Sequence, residues 1–535
     1  MNQLTNVPVG IDLGSWTSKV AVAKRGGVEV ITNEANFRET PVVVGYGPAE
    51  RQIGEAGNIK MKSNFRDTVT YPTRFVGLGS EYPFLRAEKR FCPGRCINKD
   101  DKIAFEVKYQ GQQETLYPQQ VLAAYLNKLK HILAVNKFEN KSGVVAVPTY
   151  FTQQERKAVF EAARIAEFNI VRLINESTAI ALDYGMFRKK DLDSKNARNV
   201  LLIDFGHSKL SVSACSFLDS EMTVLEQEHC RHLGCRDIDY NLYEFYKGVF
   251  EKSSGGLDLS ENRKSTLKLM ESIEKQRKVL SGNQESDMNL EYLMEDEDLH
   301  YTMKREQFEK LAEPIFAQVA EALNKVKASL DKKGIKLHSI ELVGGGTRIP
   351  AFVQMVKSVF AMDPSRTLNS SESVARGCAL MAAIKSPLFR VPDYILNERV
   401  YYGVKFFWNF VEGNKFLGLD SSLYPEKQGK YIYDTGAKVP TSKTIKFTRK
   451  EALEILIEYE PAVNGFRKHI GYYVTKPQNP KEETFGVTFK IKFNEDGLVT
   501  FDECALAEEW FEETKVPKKK EKKEEKKDDK KKGEM

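Results

Sequence analysis

The sequence predicts an α/β fold with an internal duplication, followed by a β-sandwich and a charged tail. Three observations carry this. First, the stretch "VGIDLGSWTSKVAVAK" (9–24) returns in kind as "VLLIDFGHSKLSVSACS" (200–216): apolar residues, Asp-x-Gly, a short polar turn, then an alternating run. Each is an ordinary hairpin signal when taken alone. Second, an apolar helix opening on Glu-Ser-x-Ala follows each hairpin, "NESTAIALDYG" from Asn175 and "SSESVARGCALMAAI" from Ser370. Asp12 to Asp204 and Glu176 to Glu372 are closely similar separations, so order and spacing repeat together, as in a duplicated unit whose halves face each other. Third, strands alternate with helices up to about residue 385, whereas strands alone follow from about 398.

The elements follow in order. "QQVLAAYLNKLKHILAV" (119–135) and "TQQERKAVFEAARIAEF" (152–168) have helical periodicity. "IELVGGGTRIPAFVQMVKSVF" is a strand, three glycines at Gly344, Gly345 and Gly346, and a helix opening near Pro350. Such a turn lets backbone N–H groups approach a phosphate or nucleoside without obstruction by Cβ, and the helix start adds a favourable partial charge. One nucleotide is therefore expected between the two halves. Asp12 and Asp204 would hold the hydration shell of Mg²⁺ between them, as a hard cation with tightly bound water requires. "KSPLFRVPDYILNE" carries two prolines and behaves as a boundary. Beyond it "LEILIEY" from Leu453 and "VTFKIKF" from Val487 alternate apolar and polar residues, and "NEDG" supplies a hairpin turn. The expected organisation is a two-lobed nucleotide-binding domain over 1–388, a linker over 389–397, a β-sandwich over 398–512 and a Lys/Glu-rich disordered tail over 513–535.

Composition bounds the function classes. At 535 residues the chain is long enough for about three or four domains with ample core. It has no signal-peptide pattern and no apolar run near membrane-spanning length, which predicts a soluble intracellular protein with no membrane partner. The formal net charge of +6 hints at nucleic acid, but residues 515–535 hold eleven lysines against six acids and leave the body near neutral. Interleaved acids cancel much of the field that counterion release needs, so no nucleic-acid partner is expected. Cys92 and Cys96 in "FCPGRC", and His229, Cys230, His232 and Cys235 in "EHCRHLGC", have spacings permissible for zinc. The second cluster falls where a strand should lead into a helix, and free thiols of a reducing compartment are the expectation.

This order of motifs resembles the actin-like ATPase fold. "NEANFRETPVVVGYG", "VAVPTYFTQQER", "LINESTAIALDYG", "LVGGGTRIP" and "SPLFRV" resemble the seventy-kilodalton heat-shock chaperones. Asp-x-Gly-His-Ser at 204–208 and the missing acidic, leucine-rich linker are similar to the hundred-and-ten-kilodalton branch of co-chaperones. The resemblance covers about residues 8–510. It implies ATP or ADP with Mg²⁺ as cofactors and a stress-response chaperone role in the cytoplasm, with the nucleus as a second compartment. Asp12, Glu176 and Asp204 would surround Mg²⁺ and water, and Gly14, Ser15, Trp16, Gly206, His207 and Gly345 would lie at the phosphates. Glu274, Arg277, Lys278 and Ser281 of "IEKQRKVLS", with Gly346 and Arg348, would enclose the nucleoside. By spacing alone, Glu274 and Lys278 are an i,i+4 pair on a solvated helix face.

Departures from the family pattern shift the expected activity. Ser15 keeps one hydroxyl of the first turn, while Trp16 replaces the second with an indole. Thr73 stands where the family carries a lysine that orients the attacking water and stabilises developing charge. Losing one such electrostatic donor typically costs on the order of a hundred- to a thousand-fold in rate. The second turn has also lost its run of glycines, reading Gly206, His207, Ser208 and Lys209. The resemblance therefore implies an ATP-binding co-chaperone with very slow hydrolysis at most. It would release nucleotide from a conventional 70 kDa heat-shock chaperone and hold unfolded polypeptide. An ATP-hydrolysing folding chaperone is the alternative, and a small-molecule kinase on the same fold ranks third. The chain ends within what resembles the branch's charged insertion, so the helical bundle that follows there is not expected in these residues.

Overall fold

A computed structural model describes residues 6–410, 428–449, 453–466, 469–475 and 485–507. The expected Lys/Glu tail lies outside the described residues.

Two sheets repeat one plan. In the first lobe Val9–Asp12 runs antiparallel to Thr17–Lys24 and parallel to Ser142–Val147, with Asn169–Asn175 beyond. In the second, Arg198–Phe205 runs antiparallel to Leu210–Leu218 and parallel to Ser339–Val343. The first strand of each hairpin is buried on both faces, as its continuous apolar run demands. Asp12 and Asp204 sit at or beside the ends of these strands, where the sheets meet the cleft between the lobes.

The two Glu-Ser-x-Ala helices, Glu176–Phe187 and Ser373–Lys385, pack on each other between the lobes. Their approach depends on Gly377, where a Cβ would lie 1.9 Å from the Ala179 carbonyl oxygen. Helix Gln153–Ile165 opens on a capping box, in which Thr152 accepts from the Glu155 amide and Glu155 accepts from the Thr152 amide.

The stretch expected as a linker contributes a strand. Ile395–Arg399 pairs in parallel with Glu221–Cys230 of the second lobe and antiparallel with Lys438–Val439 of the following unit. The β-sandwich has one sheet of Gln428–Tyr433, Val404–Phe410, Leu453–Tyr459 and His469–Thr475, and another of Thr441–Arg449, Phe485–Phe493 and Val499–Ala507. Alternation works as predicted, since Ile455, Ile457, Phe489 and Ile491 point into a shared core.

The "NEDG" turn does more than close a hairpin. It seats the sandwich on the first lobe. Gln153 donates to the Gly497 carbonyl at 2.8 Å and accepts from the Val499 amide at 2.9 Å. Asp496 accepts from the Leu173 amide at 2.9 Å, and Arg172 pairs with Glu398 at 2.9 Å. Among the described residues no helix is long and apolar enough to cross a membrane.

Candidate functional site

The three glycine-bearing turns lie against one another. Gly344 has φ +87°, where an L side chain is strained, and a Cβ there would lie 2.5 Å from Asp204 Oδ1 and from the Phe205 carbonyl oxygen. The third turn thus rests directly on the second hairpin. Beside it Gly345 faces open space: among the described residues, nothing beyond its own chain neighbours lies within 4 Å of the Cβ position. The two hairpin turns are joined across the cleft, because Ser208 Oγ donates to Ser15 Oγ at 2.8 Å.

Aromatic rings line the cleft beside these turns. Trp16 and His207 stack with centroids 5.6 Å apart, and Tyr71 lies on His207 at 5.4 Å with an interplanar angle of 9°. The Tyr71 hydroxyl and His207 Nε2 are 3.1 Å apart. Burial and the positive charge of Arg236 hold the His207 imidazole well below its usual pKa, so the ring is neutral. Trp16, Tyr71, His207, Arg236, Glu274 and Lys278 are among the residues enclosing a cleft of about 740 Å³ between the lobes.

The carboxylates are brought together, but in company that sequence reasoning missed. Lys19, the cross-strand neighbour of Asp12, places its ammonium 3.8 Å from that carboxylate. Lys209 is ion-paired with Glu176 and stands 3.6 Å from Asp204. All five side chains are buried or nearly so. Burial pushes Asp204 up to about 7, with the charge of Asp12 adding to the rise. Burial pulls Lys209 down to about 7, against the attraction of Asp12, while its ion pair with Glu176 favours the ammonium form. Asp12 itself is raised by burial, opposed by Lys19 and Lys209.

This donor set does not fit the expected Mg²⁺. Asp12 and Asp204 were to hold the ion through water, yet each already faces an ammonium, and a dication would meet those charges at close range. Among the described residues no group of three or more His, Cys, Asp or Glu is arranged to hold a metal ion.

The remaining expected positions divide. Glu274 and Lys278 form their i,i+4 pair at 2.7 Å on the cleft wall. Arg277 turns away to a buried pair with Asp239, at 2.6 Å. Ser281 Oγ donates to the Arg277 carbonyl and closes the helix end, and Arg348 reaches Ser370 at 3.1 Å. Gly14 and Gly206 shape the hairpin turns, while Gly346 packs toward Phe205 and Cys235 Sγ. Thr73 is buried, and its hydroxyl has no hydrogen-bond partner among the described residues. The sequence offered one sign of Lys209, a lysine following a polar turn where the family pattern has small residues.

Comparison with known proteins gives this geometry a context. Residues 8–534 match the family described as Hsp70 protein. The chain is 33% identical over 500 residues to the 97 kDa heat shock protein of Strongylocentrotus purpuratus, covering 92% of this chain and 55% of that protein. It is 32% identical over 512 residues to heat shock protein 110 of Caenorhabditis elegans, covering 94% and 64% respectively. It is also 30% identical over 521 residues to a heat shock protein homolog of Saccharomyces cerevisiae, covering 96% and 73%. The chain thus spans little more than half the length of several curated relatives that it matches.

Proposed function

Because the chain belongs to the Hsp70 protein family, we propose that it binds an adenine nucleotide between its lobes and acts as a co-chaperone. In this role it promotes nucleotide release from a conventional 70 kDa heat-shock chaperone and holds unfolded polypeptide on its β-sandwich. The observation that carries the nucleotide reading is the meeting of the three glycine turns, Ser208 bonded to Ser15 and Gly344 resting on Asp204, beside a cleft lined by Trp16 and His207, with Gly345 in open space. Backbone N–H groups of the turns at Gly14, Gly206 and Gly345 would meet phosphate oxygens, and Glu274 and Lys278 would flank the nucleoside.

Hydrolysis is proposed to be very slow. Thr73 cannot supply the cationic donor expected at its position, and Glu176 is engaged by Lys209 rather than free to orient water. Names of relatives such as heat shock protein 110 support the co-chaperone reading over a self-sufficient folding machine.

Isothermal titration with ATP and with ADP tests the binding claim. Saturable binding by the wild type, lost in Gly345→Asp, is the expected result. The open space at Gly345 accommodates the new side chain, so the loss would reflect repulsion of phosphate rather than unfolding. Absence of binding by the wild type would overturn the reading.

A further inference from the structure

Lys209 and Glu176 belong to opposite lobes. Lys209 is the last residue of the turn between the second lobe's hairpin strands, its carbonyl accepting from the Gly206 amide at 3.0 Å. Glu176 opens the helix that leaves the first lobe's strand Asn169–Asn175. Their ion pair therefore crosses the cleft floor, and the same ammonium reaches Asp204 of its own lobe at 3.6 Å. Lys19 serves Asp12 on the other side at 3.8 Å and Glu39 at 3.7 Å. The two lysines are not related by the internal duplication. The cross-strand partner of Asp12 is Lys19, whereas that of Asp204 is Ser211. Two ammonium groups reached by different routes thus compensate one cluster of three buried carboxylates.

We propose that Lys209 is a built-in cation bridging the two lobes, so that the cleft closes and takes up nucleotide without a divalent metal. Three buried carboxylates facing one another repel, and a fold that brings them together needs positive charge among them. Here the chain supplies that charge itself. A side-chain ammonium tethered to the second lobe and paired with the first acts as a latch as well as a counter-ion. Three neighbouring contacts cross between the lobes in the same sense: Ser208 to Ser15, His207 to Tyr71, and Lys62 to Glu271 at 2.6 Å. A divalent ion would have to displace Lys209 from Glu176 and Asp204 to gain the same oxygens. The metal independence rests on the nucleotide-binding reading above, whereas the latch does not.

The test has two arms. In the first, ADP is titrated into wild type and Lys209→Ala, in buffer with MgCl₂ and in buffer with EDTA. Wild-type affinity should change less than about threefold on chelation, while Lys209→Ala should acquire a metal dependence of about tenfold or more. A wild-type loss of about tenfold or more on chelation would overturn the proposal, and this comparison needs no variant. In the second arm, amide hydrogen exchange is followed without nucleotide, in EDTA. Glu176–Phe187 and the strand Arg198–Phe205 should be protected in wild type and in Lys209→Arg, and should exchange faster in Lys209→Ala and in Glu176→Gln. Equal protection in all four proteins would overturn the latch. If wild type bound no ADP in either buffer, the nucleotide reading would fail and metal independence with it, while the exchange arm would still decide the latch.

Discussion

Arg236 and Glu88 meet as a bidentate pair between the lobes, with Nη1 2.8 Å from one carboxylate oxygen and Nη2 2.8 Å from the other. Glu88 is 1% exposed and Arg236 2%. Arg74 adds a second guanidinium on the same carboxylate, its Nε 3.1 Å away, and His232 Nδ1 lies 3.1 Å from it. Burial alone would raise the Glu88 pKa, but Arg74 and Arg236 hold it well below the usual carboxylate range. Removing one partner strands a buried charge. Glu88→Gln and Arg236→Met should each destabilise the protein by about 3–5 kcal/mol, measured by denaturant unfolding. A cost comparable to that of a surface ion pair, under about 1 kcal/mol, would contradict the assignment.

Single-turnover hydrolysis of ATP should run on the order of a hundred- to a thousand-fold slower than in a family member that keeps a lysine at the position of Thr73. Quench-flow or radiolabel assays at saturating protein would measure this. A rate matching the lysine-bearing member would contradict the role assigned to the missing lysine.

Acid should weaken the fold through His229. The ring is 7% exposed, sits edge-on to Tyr401 at 5.0 Å, and neither nitrogen has a hydrogen-bond partner among the described residues. Burial, with the nearby charge of Lys209, lowers its pKa to about 3. An unfolded histidine titrates near 6.5, so below that pH the unfolded chain takes up a proton that the folded one refuses. Stability present at neutral pH is therefore lost as pH falls from about 6.5 toward 3, by about 1.4 kcal/mol per unit. Unfolding free energies between pH 7 and 5 should fall less steeply in His229→Phe, by one proton's worth. An unchanged slope would assign the acid sensitivity elsewhere.

Two glycines in helices should respond oppositely to alanine. At Gly377 the new Cβ meets the Ala179 carbonyl oxygen at 1.9 Å, which forces apart the helices between the lobes. Overpacking of this kind costs about 1–3 kcal/mol or more. At Gly248, within Cys235–Ser253, nothing among the described residues beyond the helix's own backbone lies within 4 Å of a new Cβ, and Gly248→Ala should stabilise by about 0.5–1 kcal/mol. Melting temperatures of the pair of variants provide the check, and a stabilised Gly377→Ala would refute the packing argument.

The duplicated lobes are legible in the sequence because Asp12-x-Gly14 and Asp204-x-Gly206 are local hairpin signals that recur, and the Glu274 to Lys278 pair is legible because helical spacing alone brings it together. What escapes is non-local. Pro387 and Pro392 mark a boundary, yet Ile395–Arg399 becomes a strand because the edge of Glu221–Cys230 receives it, and no local pattern announces that partner. Lys209 in a polar turn looks solvated, and Glu88, Arg74 and Arg236 are residue types that are seldom buried unless paired. Their burial is visible only once the two lobes are brought face to face.

Release of a fluorescent ADP analogue from a conventional 70 kDa heat-shock chaperone, followed by stopped flow, tests the co-chaperone reading most directly. A partner's cleft opens only as far as this protein's preference for the open state drives it. With ATP present, wild type should accelerate release in a saturable manner and Gly345→Asp should not. An unchanged release rate at saturating wild-type protein would contradict the proposed function.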